Sequence, residues 1–176
     1  PIAVHEGSPG LYLKPGDYLI AGNITWNRRP EFLQIPAQTG LVRSVVLPNG
    51  LPLTYFRLEN GLNLYVVENH AAPVFTFQTW FNVGARDEKL DPRLNATGLA
   101  HLFEQMMFRG TRNHPDGEFD RILTRNGVTD ENATTWLDRT NYFETLPKDK
   151  LDLVMGLESD RMVNLALDQK LLDTER

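Results

Sequence analysis

The sequence predicts an α+β fold, and three features of its 176 residues predict it. Short runs rich in branched and aromatic residues end at Gly84. Two segments with helical apolar spacing follow. Two further short strands then lead into a long amphipathic segment. Strands, helix, helix, strands and helix, in that order, differ from the strict alternation of a parallel α/β domain.

The elements follow from local chemistry. Residues 1–50 are broken by Gly7, Pro9, Gly10, Pro15, Gly16, Pro30, Pro36, Gly40, Pro48 and Gly50, so we expect an extended N-terminal arm with short strands at most, one at Tyr18-Leu19-Ile20-Ala21. Regular structure is expected over 51–176. Residues 53–58 and 62–67 form a hairpin, with Asn60-Gly61 supplying the positive backbone angles of its turn. The unbroken run 74–83 is a central strand, ended by Gly84. A helix over 98–108 is capped by Thr97 and closed by Gly110. A second spans 117–126, strands cover 130–135 and 141–145, a long helix covers 148–165, and another begins near Gln169.

Composition narrows the function. Apolar residues make up 41% and charged residues 23%, as in a globular protein. Eighteen basic and 23 acidic residues leave a net charge of -5, which offers no footprint for nucleic acid. No apolar run approaches the roughly 20 residues of a transmembrane helix. The absence of cysteine excludes disulfides, thiolate metal sites and cysteine nucleophiles. The opening Pro1-Ile2-Ala3 and the closing Asp173-Thr174-Glu175-Arg176 read as the ends of a processed piece of a longer polypeptide, so an exported or periplasmic location is an expectation.

The most informative stretch is Gly98-Leu99-Ala100-His101-Leu102-Phe103-Glu104-Gln105-Met106-Met107-Phe108-Arg109-Gly110-Thr111. Helical spacing gathers His101, Glu104 and Gln105 around one point. In an inverted zinc motif, two histidines four residues apart hold the metal, and the intervening glutamate faces the metal-bound water as general base. Here the second histidine is Gln105, whose carbonyl oxygen is a weak, neutral ligand beside an imidazole. Taken alone, His101 is more simply a helix histidine with a hydrogen bond. Asn132 taken alone is equally a turn residue, Asp138 and Arg139 a solvated pair, and Asp160 and Arg161 surface or interhelical charges.

From about residue 47 onward the chain resembles the pitrilysin, insulinase and mitochondrial-processing-peptidase family of zinc endopeptidases. The resemblance rests on Gly98, Leu99, Ala100, His101, Glu104, Met106, Phe108, Gly110 and Thr111, on Phe81-Asn82-Val83-Gly84 before them, and on Asn132-Ala133-Thr134-Thr135 and Leu157-Glu158-Ser159-Asp160-Arg161-Met162 after them. It implies an incomplete peptidase-like domain, with a mixed or antiparallel sheet and helices on one side. His101 would be the first zinc ligand, Glu104 the catalytic base and Gln105 a degenerate ligand position. Glu175 would support the third ligand from behind, with that ligand itself beyond Arg176. Asn132 and Ala133 would lie beside a peptide bound as an added strand. Zinc is the cofactor implied, and a second peptidase-like domain or subunit the partner. Two readings follow: a zinc endopeptidase homologue with an impaired metal site, or a non-catalytic subunit that shapes a substrate chamber. An unrelated binding protein is the third.

Overall fold

The computed structural model describes residues 17–22, 41–58, 60–89 and 97–175. Seven strands form one sheet: β1 (Asp17–Gly22), β2 (Leu41–Val46), β3 (Pro52–Arg57), β4 (Asn63–Glu68), β5 (Val74–Phe81), β6 (Asp130–Thr135) and β7 (Thr140–Pro147). Their order is β2-β3-β4-β1-β5-β7-β6. β1 runs parallel to β4, and every other pairing is antiparallel. Among the described residues the α-helices are α1 (Leu99–Met106), α2 (Glu118–Arg125), α3 (Leu151–Asn164) and α4 (Gln169–Glu175).

The expected elements from residue 52 onward are all present, with ends displaced by a few residues. Three differences have physical causes. The arm expected over 1–50 supplies two strands to the sheet: β1 lies between β4 and β5, and β2 pairs with β3. The rest of that arm lies outside the described residues. The last strand runs on through Leu146, whose side chain is wholly buried, instead of stopping at Thr145. The long helix opens with a 3-10 turn over Lys148–Lys150, and α-helical bonding begins at Leu151.

Alternation decides which side of the sheet the helices cover. Leu64 and Val66 of β4 and Phe75 and Phe77 of β5 face one way. They pack with Phe119 and Leu123 of α2, Leu146 of β7, and Leu151, Val154 and Leu157 of α3. Each fully buried Leu or Val there stabilises the fold by about 1.5–3 kcal/mol. Tyr65 and Val67 of β4 face the opposite way, into a smaller cluster with Leu53. In that cluster Tyr55 stacks on Tyr65 at a centroid distance of 4.7 Å. In the turn between β3 and β4 only the glycine of the Asn60-Gly61 pair takes a positive φ. Gly61 has a φ of 87° and donates to the Leu58 carbonyl at 2.9 Å.

Candidate functional site

The motif helix α1 sits against the edge strand β6. Its start does not use Thr97. The N-cap is Gly98, in the left-handed region with a φ of 91°, and it makes no side-chain capping bond. The first turn is satisfied instead by Glu88, from the short 3-10 turn Asp87–Lys89. Its two carboxylate oxygens accept the Gly98 and Ala100 amides, each at 2.8 Å. A carboxylate there also meets the positive end of the helix dipole. At the other end Gly110 has a φ of 104°, and a Cβ would stand 2.6 Å from the His114 carbonyl oxygen and 2.8 Å from the Asp116 nitrogen. Only glycine fits that turn.

Within this frame the expected site residues separate. His101 is exposed, and its Nε2 lies 3.3 Å from the Gln105 side-chain nitrogen. That contact is a side-chain hydrogen bond, and it keeps the two positions of the motif side by side on α1. The proximity thus survives the loss of the second imidazole. The donor chemistry does not survive, because an amide offers only its neutral oxygen. Among the described residues no group of three or more His, Cys, Asp and Glu side chains is placed to hold a metal ion. His70 lies beside Glu68, and His114 beside Glu118. The described residues thus do not make a zinc site.

Glu104 is buried, at 5% exposure, and its carboxylate accepts a hydrogen bond from the Thr135 hydroxyl of β6. Thr135 lies opposite Thr140, and their hydroxyls are 3.4 Å apart. Thr140 in turn donates to the Val83 carbonyl at 2.8 Å. A line of hydroxyls thus fixes Glu104 to the end of the sheet. Thr135 and Glu88 escaped sequence reasoning because each acts on α1 from a distant segment.

Glu175 is brought to α1 by α4, where the Arg109 guanidinium grips its carboxylate through two nitrogens. Asp116 lies 3.6 Å from the same guanidinium. Asn132 and Ala133 stand on β6, the last strand of the sheet. The Asn132 side chain is exposed and accepts from the Ala133 amide at 2.8 Å, while Ala133 is buried. Two charges expected at the surface are engaged instead. Arg139 lies over Trp80 at 5.0 Å and donates to Thr134 and Asn141. Arg161 is only 2% exposed and is paired with Glu158 at 2.7 Å. Burial pushes the Asp160 carboxyl up, but hydrogen bonds from Thr111, Asn164 and Asn113 outweigh it and hold the group below its usual value.

Comparison with known proteins shows the family. The model of the Insulinase (Peptidase family M16) family matches residues 64–176. The Helicobacter pylori zinc protease PqqE is 32% identical over 126 residues, covering 72% of this chain and 25% of that protein. Subunit 1 of the rat mitochondrial cytochrome b-c1 complex is 29% identical over 151 residues, covering 85% and 30%. The crystal structure of the first half of the periplasmic protease PqqL from Escherichia coli superposes with a TM-score of 0.63 at 27% identity, covering 70% of this chain and 27% of that one. The chain thus spans 25% to 30% of the length of these relatives. By the extent of the family match and the inverted motif on α1, the chain belongs to the insulinase family of zinc metallopeptidases, with the metal-binding motif degenerate at Gln105.

Proposed function

We propose that this chain is a non-catalytic part of an insulinase-family assembly, which holds a peptide or unfolded protein along the β6 edge and shapes the chamber of a partner domain or subunit. The observation that carries this reading is the His101–Gln105 pair, which keeps the motif's two positions adjacent but has an amide in place of the second imidazole. Its relatives favour the same reading, since one is a subunit of a multi-subunit complex. Asn132 and Ala133 would contact the bound peptide, whose backbone would extend the sheet. Among the described residues no helix is long and apolar enough to cross a membrane. The periplasmic placement of the PqqL relative favours an extracytoplasmic site of action.

A zinc endopeptidase is the second reading. It is favoured by the retained proximity of His101 and Gln105 and by Glu104, positioned by Thr135. In that reading His101 and a carbonyl-ligating Gln105 hold the metal, Glu104 is the base, and Glu175 steadies a ligand outside the described residues.

Metal analysis of the protein with its partner separates the two. The first reading expects substoichiometric zinc and peptide binding without cleavage. It also expects an Ala133→Pro exchange in β6 to abolish peptide binding, because proline removes a ladder donor. Stoichiometric zinc lost on His101→Ala, together with cleavage lost on Glu104→Gln, would overturn it.

A further inference from the structure

Beneath the site lies a buried layer of charge that the proposed function does not use. In the register of β6 and β7, Glu131 stands directly opposite Glu144. Like charges so placed destabilise a strand pair. From α3 come Glu158 and Arg161, each 2% exposed, and Glu144 is equally buried. The guanidinium is walled by the rings of Tyr142 at 4.6 Å, Phe119 at 4.7 Å and Phe108 at 5.8 Å. Thr79 of β5 donates to Glu158 at 3.0 Å. Asp120 of α2 faces Glu131, and Glu104 of α1 faces Tyr142.

The charges do not balance. Three glutamates surround one guanidinium, so full ionisation would leave two negative charges uncompensated in a buried layer. One oxygen each of Glu131, Glu144 and Glu158, and one nitrogen of Arg161, have no hydrogen-bond partner among the described residues. A proton on Glu144 and another on Glu131 remove the excess charge, since each neutralises a repelling carboxylate. Glu158 faces Glu144, and the exposed Asp120 faces Glu131.

We propose that this layer is a proton-held latch: protons carried by Glu144 and Glu131 fasten the β6–β7 hairpin to α3 and α2, and their loss loosens it. Burial, reinforced by Glu158, pushes the Glu144 carboxyl well above the usual glutamate range. Burial, reinforced by Asp120, pushes Glu131 up to about 7. Both groups bind protons more tightly in the folded chain than in the unfolded one. The stability they contribute is therefore complete below the ordinary glutamate range. For Glu131 it is lost as pH rises through about 7. The edge that carries Asn132 adjoins Glu131, so its order follows the same protons.

Hydrogen exchange and thermal unfolding of the full chain, measured from about pH 5 to about pH 8, test the latch. After correction for intrinsic exchange rates, protection of the β6 and β7 amides should fall across that range while protection of β3 and β4 holds. Glu144→Gln and Glu131→Gln are neutral and isosteric, so both should flatten the fall. Carbon-13 titration should find two glutamate carboxyls deprotonating well above the ordinary range. A flat wild-type profile, an unchanged slope in the variants, or glutamates that all titrate normally would overturn the proposal. Should Glu144→Gln fail to fold, the half-buried Glu131→Gln carries the test. None of these readouts involves zinc or peptide, so their failure would leave the functional reading standing.

Discussion

The polar pair on α1 and the polar layer below it are built to opposite rules. His101 and Gln105 sit where solvent can satisfy either side chain, so exchanging one ligand disturbs little else. Arg161 is sealed among three aromatic rings with Glu158 as its ion-pair partner, so the fold cannot lose it without leaving a buried charge unpaired. The contrast shows how a motif can change at one position while the architecture around it stays the same. Ligands displayed on the exposed face of a helix are held by the fold but do not hold it.

Four substitutions probe that contrast, in order of falling effect on stability. Arg161→Ala should cost about 3–5 kcal/mol by urea denaturation, because Glu158 and Glu144 then face each other without a counter-ion. A loss below about 1 kcal/mol would show that the layer reorganises around the gap. Gly110→Ala should cost about 1–3 kcal/mol, since it forces a strained φ and a backbone clash at the exit of α1. Glu88→Ala should cost about 1 kcal/mol and raise the exchange rates of the Gly98 and Ala100 amides, which lose their acceptor. Gln105→His should move metal-free stability by no more than about 0.5 kcal/mol. If added zinc then raises the unfolding midpoint, the second imidazole restores metal binding beside His101. If it does not, the second histidine alone is insufficient.

Much of this was legible in the sequence, because the elements from residue 52 onward obey local rules. Period-two alternation placed β4, unbroken apolar character placed β5, and the spacing of Leu99, Leu102, Phe103 and Met106 placed α1. The motif also identified its own missing histidine. What stayed hidden depends on distance along the chain. β1 joins the sheet only by pairing with β4 and β5, and no local pattern announces that. Thr97 looked like a cap because side chains of its type usually cap. Glu88, ten residues from Gly98, won the position by its fixed place on the preceding 3-10 turn. Arg161 resembled a surface charge, since nothing in a helix sequence foretells that three aromatic rings will close over it.

The clasp of Arg109 on Glu175 bears on where the molecule first comes apart. α4 contributes no buried residue of its own, so this contact supplies much of what seats it beside α1. The contact is open to solvent on the Arg109 side, and mobile counter-ions reach it. Raising ionic strength should therefore release α4 as a separate local opening, while the sheet and its apolar core stay closed. A salt titration followed by hydrogen exchange of the α4 amides would read how far this one ion pair holds the helix to the folded body.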